Sequence, residues 1–368
     1  MGIVRLILAI AVVIVHTEPI LGFEFVRGLV AVQAFYIISG FYMAMILTEK
    51  YVGKNSYKLF ITNRFLRLYP IYWTVLLGMI LVCILSKSGP LSMYVQYYDS
   101  MSFGSFLFLI FTNIFMFFQD IVMFLGLDTA SGNLFFTTNY QQSSPMLYQF
   151  LFLMQAWTIG VELMFYIIVP FIARRKTKYV LVFLFCSLLL RLILVFGFNL
   201  KDDPWNYRFF PTELLFFLAG IIAYRMYKWY VQRYQIKKNY ATMIWLVILV
   251  FTIGFSFLPP ITFYSFRMRD WIYLFVFFMS VPFIFSLTKK WKFDRYIGEL
   301  SYPVYISHLF ILWFCNKLKI SDSLGGLGVT TAILSILFSI VLNEVVQKRV
   351  EKIRQKRVIT QNKFKMNL

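Results

Sequence analysis

The strongest constraint on this chain is a succession of long apolar segments joined by short, basic connections. Stretches of about twenty predominantly apolar residues lie near 3–22, 28–48, 68–86, 103–125, 149–172, 179–198, 208–224, 240–258, 271–287, 297–315 and 326–346. A lipid bilayer offers no water to satisfy backbone N–H and C=O groups, so each stretch has to close its hydrogen bonds internally, as a helix does. With 60% apolar and 14% charged residues, the composition excludes ordinary globular, disordered and disulfide-built proteins. The expected architecture is an all-α integral membrane domain over residues 1–346, followed by a basic cytoplasmic tail at 347–368. A chain of 368 residues has no room for a large further domain.

The connections set the topology. Basic clusters occur at Lys50, Lys54, Lys58, Arg64 and Arg67, at Arg174 to Lys178, at Arg225 to Lys238, at Lys289 to Arg295, and from Lys348 onward. All of them fall on one face if the first segment starts in the cytoplasm and 103–125 does not cross, which is the arrangement the positive-inside bias selects. The sequence therefore predicts ten crossings, both termini cytoplasmic, and a re-entrant or interfacial segment at about 103–125. Asp120 inside that segment, with Gly104 and Gly126 near its ends, fits an element not bathed in lipid all round. This sidedness also accounts for the net charge of +20, so no nucleic-acid partner is expected; membrane lipids are. The first segment resembles a signal peptide, yet no small-residue cleavage pattern follows His16-Thr17-Glu18-Pro19, and an uncleaved helix is expected. Cys83, Cys186 and Cys315 are far apart inside apolar stretches, unlike disulfide or metal spacing, and no metal site is expected.

Ionisable groups at membrane depth are costly and point to function unless they pair structurally. The only two histidines, His16 and His308, fall in apolar segments, as do Glu162, Glu213 and Arg191. For Glu213 and Arg191 a mutual packing role is as good a reading as a functional one. Arg5 and His16 are eleven residues apart, which on a helix aligns them to within roughly 20° and separates them by about 16 Å. An arginine near one end suits a phosphate, and a histidine deeper in suits a general base. Arg64 and Arg67, three apart, share a helix face on which two guanidinium groups can grip a phosphate; with Tyr69, Tyr72 and Trp73 following, an interfacial anchor is the alternative.

Taken in order, these features resemble acyltransferase family three, the multispanning bacterial O-acyltransferases. The resemblance is carried by Arg5 with His16, by Phe35-Tyr36-Ile37-Ile38-Ser39-Gly40-Phe41, and by Arg64-Phe65-Leu66-Arg67-Leu68-Tyr69-Pro70. It continues through Trp157-Thr158-Ile159-Gly160-Val161-Glu162-Leu163-Met164-Phe165-Tyr166 and Gly298-Glu299-Leu300-Ser301-Tyr302-Pro303-Val304-Tyr305-Ile306-Ser307-His308. It implies a ten-helix enzyme of the bacterial cytoplasmic membrane that moves an acyl group, usually acetyl, from cytoplasmic acetyl-coenzyme A to a hydroxyl of a surface polysaccharide or its lipid-linked precursor. Residue by residue, it implies His16 as the catalytic residue, Glu162 and His308 as supporting polar residues, and Arg5, Arg64 and Arg67 as the cofactor-side cations. Members often carry acidic and glycine residues after the first arginine, whereas Arg5 is followed by Leu6-Ile7-Leu8. Some members also carry a fused extracytoplasmic esterase-like domain; without one, the membrane domain or a separate partner has to complete the transfer.

The chemistry suits the residues. Acyl transfer to an alcohol needs a base near the hydroxyl and stabilisation of an oxyanion, and His16 can supply the base. No Gly-x-Ser-x-Gly turn supports a serine nucleophile, so direct transfer is expected, with Ser39 marking a close helix contact. The competing class is a glycolipid or polysaccharide transporter or flippase in which His16, Glu162 and His308 relay protons; the lack of internal repeats weighs against it. A structural membrane subunit is a third class, but it needs neither histidine at depth. Tyr94, Tyr97, Tyr98, Phe135, Phe136 and Tyr140, in loops expected outside, suit sugar stacking or an interfacial belt equally.

Overall fold

The computed structural model describes residues 1–53, 55–263, 266–320 and 325–366, so Lys54 of the basic connections lies outside the described residues, as do the side chains of Lys363 and Lys365 in the tail. The helices are α1 (Gly2–Val15), α2 (Gly28–Glu49), α3 (Ser56–Ser86), α4 (Pro90–Tyr97), α5 (Phe103–Phe115), α6 (Trp157–Ile172), α7 (Thr177–Leu192), α8 (Phe210–Arg233), α9 (Lys238–Ile253), α10 (Met268–Thr288), α11 (Lys292–Leu318), α12 (Leu327–Leu342) and α13 (Lys348–Met366). Two short antiparallel ribbons, 125–127 with 134–136 and 262–263 with 266–267, are the strands among the described residues. The chain is an all-α integral membrane protein. Among the described residues, seven helical stretches are long and apolar enough to cross a bilayer, and α1, α5 and α9 are shorter apolar helices.

The helices hold together by close backbone approach and by buried polar pairs. Gly40 of α2 and Gly220 of α8 let the two backbones meet: a Cβ at Gly40 would stand 1.9 Å from the Phe217 carbonyl oxygen, and one at Gly220 2.0 Å from that of Ile37. Small residues at helix crossings serve this purpose in membranes, where no hydrophobic effect drives association. Asp294, in the first turn of α11, accepts from the backbone N–H groups of Gly2 (2.7 Å) and Ile3 (2.9 Å). Its carboxylate thus satisfies orphan donors at the start of α1, where the helix dipole favours negative charge. Arg191 of α7 donates to the fully buried Glu213 of α8, and Gln33 of α2 donates to the same carboxylate at 3.3 and 3.2 Å. Arg191 and Glu213 are therefore a packing pair.

Three of the departures from the expected bounds bear on the site and the topology. α1 stops at Val15, seven residues short, because His16 caps it and Pro19, then Leu21 and Gly22 at positive φ, turn the chain. α3 begins at Ser56, twelve residues early, so that the basic Arg64 and Arg67 ride on the same helix as the apolar stretch after them. In 103–125 the α-helix covers only Phe103–Phe115, thirteen residues, with a 3-10 turn following at Ile121–Phe124. Met116 and Phe118, both at positive φ, end that helix, and the chain folds back into the first ribbon. Asn113 fixes the turn, its amide donating to the Tyr94 hydroxyl, the Leu109 carbonyl and the Phe150 carbonyl.

Candidate active site

Two cavities enter the bundle from opposite ends. The larger, of about 860 Å³, opens among the N-terminal turns of α1, α3 and α11, the C-terminal half of α2 and the inward side of α13. Its walls carry nine basic side chains against four acidic ones, Glu162, Asp294, Glu299 and Glu351. Arg5, Arg64 and Arg67 are all among the nine, so the structure gathers the three arginines that the sequence singled out. Arg64 is 5% exposed, lies over the rings of Phe60 (5.8 Å) and Tyr166 (6.0 Å), and leaves its Nε without a partner among the described residues. Glu162 lies on the same wall and accepts from Ser39 (2.5 Å) and Tyr166 (2.6 Å). The Ser39-Gly40 pair therefore does two jobs: the glycine admits α8, and the serine holds the carboxylate.

The smaller cavity, of about 460 Å³, opens between the C-terminal end of α1, the loop after it, the start of α2 and the loop before α8. His16 lines it from the end of α1, where the side chain is exposed rather than buried as its place in an apolar segment suggested. Here the cations are matched. Arg27 pairs with Asp270 at 2.7 Å, and Arg208 grips both oxygens of Asp203 at 2.6 and 3.1 Å. Arg208 is further held against the rings of Trp157 (4.3 Å) and Tyr207 (4.7 Å), with Nη1 unpartnered among the described residues. Its charge acts on His16. Sequence reasoning missed Arg208, which sits in a short polar connection where no spacing sets it apart.

Val32 and Tyr305 line both cavities, so the two share a wall at these side chains. The Tyr305 hydroxyl accepts from Thr158 at 2.8 Å and donates to the Gln155 carbonyl at 2.9 Å. One turn further on, the fully buried His308 has its Nδ1 2.6 Å from the Tyr305 carbonyl oxygen. That contact assigns the proton to Nδ1 and leaves Nε2, which has no partner among the described residues, as an acceptor. The His308 ring centre lies 5.2 Å from that of His16. The two histidines thus meet beside the partition, and the arginines lie in the other cavity. What the helix period aligned on one face of α1 is divided between two chambers.

A family model described as an acyltransferase domain matches residues 1–344. The chain belongs to acyltransferase family three. It is also 22% identical over 203 residues to an uncharacterized protein of Aquifex aeolicus (strain VF5), a match that spans 54% of this chain and 88% of that one. No solved structure matches it. Membership makes this a multi-pass membrane acyltransferase, and the two chambers are where its chemistry has to be sought.

Proposed function

We propose that the protein is an acetyl-coenzyme A-dependent O-acyltransferase of the bacterial cytoplasmic membrane, acting on a hydroxyl of a cell-surface polysaccharide or its lipid-linked precursor. The observation that carries this reading is the shared wall at Val32 and Tyr305, where a chamber rich in cations meets one that holds a histidine. In this reading α1, α2, α3, α6 and α7 to α12 are the ten crossings, α5 is interfacial, and both termini are cytoplasmic. The basic chamber then faces the cytoplasm and takes the donor, and the histidine chamber faces outward and takes the acceptor.

The donor carries phosphates at one end and its thioester at the end of a long flexible arm. Arg5, Arg64 and Arg67 hold phosphate oxygens, for which the planar guanidinium fork is suited, while the arm runs inward toward Tyr305. The offset of about 16 Å between Arg5 and His16 is of the order such an arm has to cover. At the partition the acceptor hydroxyl attacks the thioester carbonyl. The C–O bond forms as the C–S bond breaks, His16 accepts the hydroxyl proton, and that proton is returned to the departing thiolate. His308, neutral with its proton held by the Tyr305 carbonyl, orients His16; Glu162, fixed by Ser39 and Tyr166, sets the charge on the donor side.

The test is to incubate the purified protein in lipid nanodiscs with acetyl-coenzyme A and to follow free thiol, with and without a lipid-linked glycan extract. Acceptor-dependent thiol release and an acetylated glycan by mass spectrometry are expected. Movement of the glycolipid between leaflets of proteoliposomes with no thiol released would instead make it a transporter.

A further inference from the structure

The family match ends at residue 344, yet one wall of the basic chamber is built from residues beyond it. Residues 343–347, at the junction of α12 and α13, form a π-helical turn, a departure from α-geometry found frequently at functional sites. Asn343 is fully buried on the chamber wall with neither its amide nitrogen nor its amide oxygen partnered among the described residues, and Gln347 beside it has an unpartnered buried oxygen. Along α13, Lys348, Lys352 and Lys356 also line the chamber.

Arg354 is the centre of this wall. It is 6% exposed, pairs through one nitrogen with Glu351, and leaves Nε buried and unpartnered among the described residues. The like charges of Arg64 and Arg67 act on it across the cavity. Three guanidinium groups gathered in a partly dry space repel one another. An anion between them relieves that repulsion. α13 is docked in a way that holds the cluster together: Arg357 donates to Thr62 (2.8 Å) and Asn63 (3.2 Å) of α3, adjacent to Arg64, and Lys50 donates to Gln355 at 3.2 Å.

We infer that Asn343, Gln347, Lys348, Lys352, Arg354 and Lys356 form the phosphate-recognition wall of the donor chamber, with Arg354 and Arg64 closing on one phosphate group from opposite sides. This rests on the coenzyme A reading above and adds that the donor is selected by the phosphates remote from its thioester. An anionic lipid headgroup presents the same chemistry; a chamber walled by α1, α3 and α11 as well as α13 favours the soluble ligand.

The experiment measures binding of coenzyme A and of pantetheine, which has the same thiol arm and no phosphate, to the full chain in phosphatidylcholine nanodiscs. Arg354→Gln is expected to weaken coenzyme A about ten- to a hundredfold, the loss of a hydrogen-bonded charge, with pantetheine unchanged. Lys356→Gln, an exposed position that keeps the helix intact, is expected to weaken it a few-fold; Arg349→Gln, exposed on the same helix away from the chamber, leaves it unaltered. If both chamber variants bind coenzyme A as the parent does, the α13 assignment falls and the donor reading stands. A parent that binds coenzyme A no better than pantetheine removes both. Competition with coenzyme A by phosphatidylglycerol nanodiscs, lost in Arg354→Gln, assigns the wall to lipid and overturns the proposal.

Discussion

The two chambers solve opposite charge problems with the same residue. In the histidine chamber each arginine is answered locally: Arg27 by Asp270, Arg208 by Asp203, and Arg269 by the carbonyls of Leu258 (2.6 Å) and Phe255 (3.3 Å). In the basic chamber the cations outnumber the acids nine to four, and Arg64 has no carboxylate partner among the described residues. An answered arginine is a rigid hydrogen-bond donor with little net field, which suits a neutral polyol. An unanswered cluster is a field in search of a counter-ion. In the proposed function this difference is what assigns the charged donor to the basic chamber.

His16→Ala breaks the comparison most sharply. Because the side chain is exposed at a helix end, the variant should fold and bind coenzyme A like the parent, while acetyl transfer falls about 100- to 10,000-fold. Loss of donor binding in that variant, measured by titration, would mean that the chambers are not separate in function. Next in size is Arg191→Met: Arg191 lines neither chamber, though it donates to the carbonyl of Asn206 on the histidine chamber's wall (2.9 Å), and its loss strands the buried Glu213 carboxylate at a cost of about 3–5 kcal/mol. Thermal denaturation in detergent should show the loss, with unchanged turnover per folded molecule.

Arg64→Lys sharpens the contrast from the donor side: it keeps the charge and loses the fork, so the apparent donor constant should rise about tenfold with the acceptor constant unmoved. Arg208→Lys is its mirror and the smallest effect. Steady-state kinetics should show a several-fold rise in the acceptor constant alone, since Asp203 still has Tyr140 and Tyr207, each donating at 2.8 Å, to hold it. A shift in the donor constant from Arg208→Lys would erase the distinction between the chambers.

What the sequence made legible follows from range. Periods along single helices carried the class of fold and the pairing of Arg64 with Arg67 on one face. Glu162 was legible as a polar residue in an apolar run, but not its Ser39 and Tyr166 partners, one of which lies on another helix. Arg5 and His16 were correctly placed along one segment; the wall between their surroundings comes from Val32 and Tyr305, residues of ordinary type whose position depends on how α2 and α11 pack. The tail after 347 reads as a plain basic run, because nothing local records that Arg357 finds Thr62, 295 positions away. Long-range docking leaves no period.

The partition at Val32 and Tyr305 also acts as an insulator. In the proposed topology, with water filling a chamber on each side, most of a membrane voltage falls across this shared wall, and each elementary charge crossing it carries about 2.3 kcal/mol per 100 mV. Under the proposed function, acyl transfer at this wall has to proceed while the wall stays closed to protons and metal ions. Tyr305, fixed at its hydroxyl by Thr158 and Gln155, is well suited to sealing it, because the ring plugs the gap and leaves no loose hydroxyl for a water wire. The tightness of this seal, as much as the chemistry beside it, limits how wide the passage can be and hence how large an acyl group the enzyme can hand across the membrane.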